Sequence, residues 1–311
     1  MYTISLTPDM QASALVLGCM RIKRLSGSEL DLHLKTALEL GINFFDHADI
    51  YGGNGACERH FGEWLRGNPS LRSQMLIQSK CGIVQNDARQ NIAFDFSFAH
   101  ILKSVENSLQ NLGIEQLDVL LLHRPDALFE PEEVAAAFDE LYASGKVRAF
   151  GVSNMQSRQI ELLQSATSHK LVANQLQFGP AHTGMIDHAI RMNTNLPFSE
   201  DHDSATLDYS RLHGMTIQAW SPFQAGFIAG TYMDNPEFPG LNAALEEVGR
   251  KYGITKNGAV AAWIARHPAK MQMIAGTMNT QRLREIAAGM DIPLSREDWY
   301  RIYSSEGRDL P

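Results

Sequence analysis

The run NFFDHADIYG, residues 43 to 52, carries the pattern from which the fold can be predicted. It begins like the end of a strand, with two phenylalanines before Asp46, and Tyr51 follows on a loop flanked by glycine. The next strand-like run, MLIQSK, ends in Lys80, and the apolar run of LDVLLLHRP is followed by His123. In a barrel of parallel strands the carboxyl ends meet on one face, where catalytic residues are found. We therefore expect these four side chains to converge.

Short apolar runs alternate with amphipathic helical runs from residue 15 to residue 290, which favours βα units around a parallel sheet. Eight runs are predicted strands: Leu15–Gly18, Asn43–Asp46, Leu76–Ser79, Val119–Leu122, Ala149–Val152, Ala173–Gln175, Thr216–Trp220 and Met273–Ala275. Eight such units predict a (β/α)8 TIM barrel, which we assign as a single domain over residues 1–311.

The helical runs between these strands have one apolar face and defined ends. In the first, Leu30, Leu34 and Leu38 recur every four residues, and Gly41 follows. Gly113 follows the third helical run in the same way. Glycine adopts the left-handed conformation of a helix end without steric cost, so these residues predict where the helices stop.

Three segments lie outside the repeated unit. TISLTP alternates with period two before the first strand and predicts a short N-terminal β-hairpin over the barrel bottom. Residues 223 to 239 predict an extended loop at the C-terminal face, and residues 294 to 311 a polar tail with one helix. Three aromatic residues of the loop are candidates for an apolar substrate wall, with ordinary loop packing as the alternative: Phe223, Phe227 and Tyr232.

Composition excludes several classes of protein. The chain has 311 residues, 44% of them apolar, and a formal net charge of −8, without the clustered Lys and Arg of a nucleic-acid-binding face. Three scattered cysteines are too few for a disulfide framework or a zinc site, which favours a reducing compartment. No secretion signal is visible, and no apolar run approaches the roughly 20 residues of a membrane helix. We expect a cytoplasmic protein of unknown oligomeric state.

The four converging residue types suit the reduction of a carbonyl group. A carbonyl that accepts a hydride becomes an alkoxide and needs a proton, which Tyr51 can supply. A nearby ammonium lowers the pKa of a phenol, and Lys80 is in place to be that ammonium, with Asp46 as its partner. His123 can hydrogen-bond the carbonyl oxygen and orient it.

Other interpretations of these residues are open. Singly, each of the four has an ordinary structural explanation, such as turn packing for Tyr51. Asp46, His47 and Asp49 suggest metal ligation, but His123 is the one further histidine at a later strand end, so we expect no metal. A Schiff-base lyase built on Lys80 is a third interpretation.

The chain resembles the aldo-keto reductase superfamily, and its bacterial-type oxidoreductases in particular, over nearly its whole length. The motifs are GINFFDHADIYG with CERHFGEWL, SKCG and LLLHRPD. The resemblance implies a (β/α)8 barrel that uses a nicotinamide cofactor without a Rossmann fold. It also implies that Asp46, Tyr51, Lys80 and His123 form a catalytic tetrad with Tyr51 as the proton donor. The glycines of GGNGACERHFG lack the strand that a dinucleotide fingerprint would need before them.

The same resemblance implies the nicotinamide contacts. GVSN carries Ser153 and Asn154, and NQLQF carries Gln175, which match positions that hydrogen-bond the carboxamide. AWSPF places Trp220 where an aromatic ring stacks on the nicotinamide and Ser221 where the pyrophosphate passes. The residues themselves also allow helix capping by GVSN and a core position for the tryptophan.

IAGTMNTQRLREI resembles the segment that holds the adenosine end, where Gly276, Thr277, Asn279 and Arg282 match the pattern. Gly276 stands where many members have a lysine, and Ile286 where many have an asparagine. Arg282 and Thr277 still favour a 2′-phosphate, because a guanidinium suits a bidentate phosphate contact, although a solvated helix position is the alternative. We therefore expect NADP(H), with NAD(H) less favoured.

These observations predict an enzyme that reduces a small-molecule aldehyde or ketone to an alcohol with NADPH. The alternative is a cofactor-sensing regulatory subunit of the same fold with little or no turnover. Neither interpretation involves nucleic acid or a membrane.

Overall fold

Eight parallel strands close a barrel at the centre of the molecule. The computed structural model describes residues 1–197, 199–202, 204–226, 230–308 and 310–311. Its strands, in chain order, are β1 (Thr3–Thr7), β2 (Met10–Ser13), β3 (Leu15–Gly18), β4 (Phe44–Asp46), β5 (Leu76–Cys81), β6 (Ile83–Gln85), β7 (Asn91–Phe94), β8 (Leu117–Leu122), β9 (Val147–Ser153), β10 (Leu171–Gln177), β11 (Thr216–Trp220) and β12 (Gln272–Ala275). The barrel follows the order β3-β4-β5-β8-β9-β10-β11-β12 and closes on β3. The predicted (β/α)8 TIM barrel is confirmed, and each predicted strand lies within two residues of an observed one at either end.

Helices cover the outside of the barrel. They are α1 (Gly27–Glu39), α2 (Ala56–Gly67), α3 (Phe98–Leu112), α4 (Pro131–Ala143), α5 (Ser157–Ala166), α6 (Gly184–Ile190), α7 (Thr206–Leu212), α8 (Pro239–Tyr252), α9 (Lys256–Ala265), α10 (Thr280–Gly289) and α11 (Arg296–Ser304). Gly113 ends α3 with φ of 66°, the left-handed conformation that glycine adopts without steric cost. Within the described ranges, no helix combines the length and the apolarity needed to cross a membrane.

The N-terminal hairpin lies over the amino end of the barrel, as the alternating sequence predicts. β1 and β2 pair antiparallel, and β2 leads into the first barrel strand. Asn43, just before β4, holds the hairpin there: its side chain accepts from the backbone N–H of Ser13 and donates to the carbonyl of Gln11. The amino end is thus closed, and the opposite end is left for a ligand.

A second hairpin, formed by β6 and β7, follows β5 at the C-terminal face. The sequence pattern did not predict it, because the residues of β7 are all exposed and make no alternating apolar face. Asn91 of this hairpin lines the large cavity at the barrel mouth. The hairpin therefore extends the wall of the candidate site beyond the barrel strands.

Candidate active site

The four residues singled out from the sequence meet at the C-terminal end of the barrel. Asp46 ends β4, Lys80 lies near the end of β5, His123 follows β8, and Tyr51 stands on the loop after β4. The Nζ of Lys80 is 2.8 Å from Asp46 Oδ2 and 3.1 Å from the hydroxyl oxygen of Tyr51. The Tyr51 and His123 rings lie edge to face, with centroids 5.9 Å apart. The carboxylate, ammonium, phenol and imidazole are therefore one cluster.

Lys80 is fully buried at the centre of this cluster. Its ammonium donates to Asp46, to the hydroxyl of Tyr51 and, at 2.6 Å, to the backbone carbonyl of His47. Burial acts to lower the pKa of Lys80, but the Asp46 charge and the Tyr51 hydroxyl outweigh it, so the pKa is raised. Lys80 consequently stays charged throughout the physiological range.

The hydroxyl of Tyr51 remains protonated at neutral pH. Burial raises the pKa of Tyr51, and the neighbouring Lys80 charge opposes that rise without cancelling it. Lys80 does lower the pKa of the phenol, as the sequence suggests, but desolvation of the phenolate is the larger effect, so the pKa of Tyr51 in the free protein lies above its ordinary value. What the lysine does is hold the phenol in place and limit the cost of forming its anion.

His123 is a neutral imidazole. Burial, followed by the charges of Lys80 and Arg124, lowers its pKa well below the usual value. Its backbone is fixed on both sides, since its N–H donates to the carbonyl of Cys81 at 2.8 Å and its carbonyl accepts from Asn154 at 3.2 Å. A neutral ring with a fixed backbone can donate one hydrogen bond to a substrate oxygen without bringing a second positive charge.

One cavity of about 880 Å³ connects these residues with the predicted cofactor contacts. Lys80 lies beneath its floor. The predicted site residues that line it are Asp46, Tyr51, His123, Ser153, Asn154, Gln175, Trp220, Ser221, Gly276, Thr277 and Arg282. Asn279 is not among them, because its side chain accepts from the backbone N–H of Arg282 and caps the start of α10. The structure thus gives Asn279 a role in helix capping, not one in the cavity wall.

Near Tyr51 the cavity wall is made of side chains that bond to one another. Asn154 donates to Ser153 Oγ at 2.8 Å and accepts from the indole N–H of Trp220 at 3.1 Å. Ser153 in turn donates to the backbone carbonyl of Gln175 at 3.0 Å. The residue that caps α5 is Gln156, so helix capping does not explain Ser153 and Asn154.

Two residues of this wall have unusual backbone conformations. Asn154 and Ser221 follow directly after β9 and β11, and their φ angles are 59° and 50°. Left-handed conformations are uncommon outside glycine and carry a cost that the surrounding structure must hold. Such conformations concentrate at ligand sites, so they favour a binding role for these two strand ends.

At the far end the cavity is open. Gly276 and Thr277 follow β12, and the carbonyl of Gly276 accepts from Arg21 at 3.3 Å. Arg282 is exposed on the first turn of α10, where an anion can reach both the guanidinium and the helix end. Ile286, by contrast, is fully buried and packs in the apolar core, so it does not reach the cavity.

The aromatic residues of the loop after β11 separate into different roles. Phe223 lines the cavity. Tyr232 is fully buried and donates its hydroxyl hydrogen to the carbonyl of Pro222 at 2.8 Å, so it holds the loop together and is not a substrate wall. Phe227 lies outside the described residues.

Sequence reasoning missed several residues of the cavity wall. Arg124 directly follows His123, and its guanidinium carbon lies 5.8 Å from the centroid of the Trp220 ring. Gln224 and Thr231, from the loop after β11, also line the wall, as does Asn91. The position of Arg124 at a strand end was a usable signal, whereas the loop residues had none.

Two further carboxylates lie near the cluster, Asp49, which is half-buried, and Glu58, which is fully buried. Asp49 lies within the run NFFDHADIYG, and burial, reinforced by the Glu58 charge, raises its pKa to about 8. Burial also raises the pKa of Glu58, which accepts from Ser79 at 2.6 Å and from Asn111 at 3.2 Å. In the part of the chain that the structure describes, no three His, Cys, Asp or Glu side chains form a group fit for a metal ion.

The chain is similar to known proteins in both sequence and fold. Residues 14–306 match the model of the Aldo/keto reductase family. The 6-dehydroglucose reductase of Agrobacterium fabrum is 36% identical over 98% of this chain and 97% of that protein. Oxidoreductase YdhF of Escherichia coli is 34% identical over 96% of this chain and 95% of that protein. An aldo-keto reductase from Klebsiella pneumoniae, crystallised in complex with NADPH, shares the fold with a TM-score of 0.75 at 23% identity, covering 97% of this chain and 93% of that one.

Proposed function

Because the chain belongs to the aldo/keto reductase family, we propose that it reduces an aldehyde or ketone to an alcohol with NADPH. The observation that carries this proposal is the single cavity that has the Tyr51 hydroxyl and the His123 ring at one end and the exposed Arg282 at the other. Its volume of about 880 Å³ has room for a dinucleotide and a small substrate together.

The residues present fit the proposed cofactor. Ser153, Asn154 and Gln175 offer polar groups to a carboxamide, and the half-buried Trp220 offers a ring face for stacking. The start of α10 with Arg282 offers backbone N–H groups and a guanidinium to a phosphate. When bound, NADPH supplies the hydride that reduces the carbonyl carbon.

The protein itself supplies the proton that the reaction needs. As the carbonyl oxygen gains negative charge, the Tyr51 hydroxyl gives it a proton, and His123 donates a hydrogen bond to the same oxygen. The phenolate left on Tyr51 lies beside the Lys80 ammonium, 3.1 Å away, which stabilises it until a proton returns from solvent. Asp46 keeps that ammonium charged and correctly placed.

We further propose that the substrate is a hydroxylated aldehyde. Two relatives, at 36% and 32% identity, are named 6-dehydroglucose reductase, an activity on a sugar aldehyde. The cavity wall of this chain includes Asn91, Arg124, Gln224 and Thr231, side chains of types that hydrogen-bond hydroxyl groups. A wall of this kind suits a polyol chain better than a purely apolar substrate.

The test is a fluorescence titration with NADPH and NADH, followed by a panel of carbonyl compounds at fixed NADPH. We expect NADPH to bind more tightly than NADH and sugar-derived aldehydes to be reduced faster than unsubstituted aliphatic aldehydes of the same length. Tight NADPH binding without oxidation by any panel member would favour the cofactor-sensing alternative. Equal rates for the two aldehyde classes would reject the hydroxylated substrate.

A further inference from the structure

Four glutamines from four strands form a continuous hydrogen-bonded chain inside the barrel, directly beneath the catalytic cluster. They lie on β5, β10, β11 and β12, and all are buried: Gln78, Gln175, Gln218 and Gln272. Gln78, Gln218 and Gln272 are fully buried, and none of these three was singled out from the sequence. Buried strands of a barrel ordinarily fill its interior with branched apolar side chains, so a polar chain here needs an explanation.

At each end of the glutamine chain, the last amide donates to a group that can only accept a hydrogen bond. At one end Gln272 donates to the backbone carbonyl of Ser13 at 2.9 Å. At the other end Gln78 and Gln175 both donate to Asp46 Oδ1, at 2.6 and 3.0 Å. A carboxylate and a backbone carbonyl only accept, so they fix which way each terminal amide points.

The hydrogen bonds in the middle of the glutamine chain are consistent with the orientations fixed at its ends. Gln218 Nε2 donates to Gln272 Oε1 at 2.9 Å and to Gln78 Oε1 at 3.1 Å. Gln218 Oε1 accepts from Gln78 at 2.9 Å and from Gln175 at 3.0 Å. Turning any one amide over would set two acceptors or two donors against each other, so the orientation of all four is fixed together.

This arrangement uses both amide hydrogens of Gln175. One is given to Asp46 and the other to Gln218, which leaves Oε1 as the polar atom of that side chain that can meet a ligand. Gln175 lines the cavity beside Ser153 and Asn154. It can therefore accept a hydrogen bond from a ligand there but has no N–H left to donate.

We propose that Gln78, Gln218 and Gln272 are positioning residues that lock Gln175 as an acceptor and so select a ligand with an N–H donor, the primary carboxamide of the nicotinamide. The inference rests on the proposed function, because it takes NADPH as the ligand. The same glutamine chain donates two amide hydrogen bonds to Asp46 Oδ1. Asp46 is therefore positioned by these two amides as well as by its ion pair with Lys80.

The test compares the dissociation constants of NADPH and of its reduced 3-acetylpyridine analogue, in which a methyl group replaces the amide nitrogen. The unmodified protein should bind the analogue roughly three- to tenfold more weakly, the value of one hydrogen bond. Equal affinity for the two ligands would overturn the proposal. Failure to bind NADPH at all would instead overturn the proposed function, so the two outcomes are distinct.

The variant Gln218→Met removes the acceptor and both donors at the centre of the chain while nearly keeping side-chain volume. One hydrogen of Gln175 Nε2 then loses its partner and can be offered to the acetyl oxygen. We expect the NADPH dissociation constant to rise roughly three- to tenfold and that of the analogue to change by less than about twofold. A purely structural role would weaken both ligands by the same factor, and that result would overturn the proposal.

A matched control makes the same chemical change away from the site. Gln164 on α5 donates to the carbonyls of Thr167 and His169 and accepts from the N–H of Leu171, outside the barrel. Gln164→Met should leave the ratio of the two dissociation constants unchanged. If Gln218→Met does not fold, Gln272→Met loosens the chain from its far end and should lower the same ratio by a smaller factor. An unchanged ratio in Gln272→Met would count against the proposal.

Discussion

At the end of the cavity near Tyr51 the walls are strand ends with buried, mutually bonded side chains, whereas near Arg282 they are loops and the exposed first turn of α10. The first end places a buried ion pair, Lys80 with Asp46, on neighbouring strands. The second end presents the exposed guanidinium of Arg282. The barrel strands therefore fix the geometry of the buried cluster, while the proposed preference for NADPH over NADH depends on solvent-facing groups.

The substitution Tyr51→Phe should have the greatest effect at the buried end of the cavity. Loss of the hydroxyl should lower turnover about 10²- to 10⁴-fold, because the developing alkoxide has no proton donor. The dissociation constant for NADPH should stay near that of the unmodified protein. Steady-state NADPH oxidation and a binding titration measure the two, with Tyr142→Phe, an exposed tyrosine of α4, as control. Retained turnover would contradict the assignment of the proton donor.

The second prediction concerns the buried pair. Lys80→Met leaves the Asp46 carboxylate buried and unpaired, which should cost about 3–5 kcal/mol in the free energy of unfolding. Lys35→Met removes one partner of a pair with Asp31 that is exposed on both sides, and it should cost much less. Denaturant unfolding of both variants provides the comparison. An equal loss of unfolding free energy in the two variants would mean that burial does not make the Lys80–Asp46 pair more important for stability.

The third prediction tests burial behind the cluster through pH. The pKa of Asp49 is about 8 in the folded protein against 3.8 ordinarily. Below about pH 4 both states hold the proton; between pH 4 and pH 8 only the folded state does. The free energy of unfolding therefore falls as pH rises through this window, by up to ~1.4 kcal/mol per pH unit from this group.

Asp49→Asn should remove that contribution and make the variant more stable than the unmodified protein at pH 8. Urea unfolding at several pH values measures it, with the exposed Asp87→Asn as control. Identical pH profiles for Asp49→Asn and the unmodified protein would show that Asp49 is ionised in the fold.

The smallest expected effect belongs to the open end of the cavity. Arg282→Ala should raise the dissociation constant for NADPH about tenfold and leave that for NADH nearly unchanged, since only NADPH carries the 2′-phosphate. Arg284→Ala is the matched control, because that arginine of α10 donates to Thr36 instead. Equal changes for the two cofactors in paired titrations would reject a 2′-phosphate contact.

The barrel and the convergence of Asp46, Tyr51, Lys80 and His123 could be predicted from the sequence. Strand ends on one face of a parallel barrel are neighbours whatever their separation in the chain, so Asp46, Lys80 and His123 could be placed together without coordinates. For Asn279 the sequence left the role open, because a cap and a ligand contact draw on the same residue types; the structure shows its side chain accepting from the Arg282 N–H.

The pKa of Tyr51 and the glutamine chain could not be predicted from the sequence, because both depend on burial and strand register in the folded protein. The pKa of Tyr51 follows from a balance between burial and the Lys80 charge, and that balance needs the burial itself. The glutamine chain needed the inward register of four strands at once. Its signal was present, however, since QSK, NQLQ, IQAW and MQMI each interrupt a buried apolar strand with a glutamine.

In the proposed reaction, a hydride passes from NADPH to a carbonyl carbon beside Tyr51. NADPH carrying deuterium at the transferred position, incubated with the protein and a hydroxylated aldehyde, tests it by mass spectrometry of the alcohol. We predict one deuterium per alcohol, bound to the former carbonyl carbon, and almost no alcohol with Tyr51→Phe. An alcohol formed without deuterium from either hydrogen position of the nicotinamide, or no alcohol with any carbonyl compound, would contradict it.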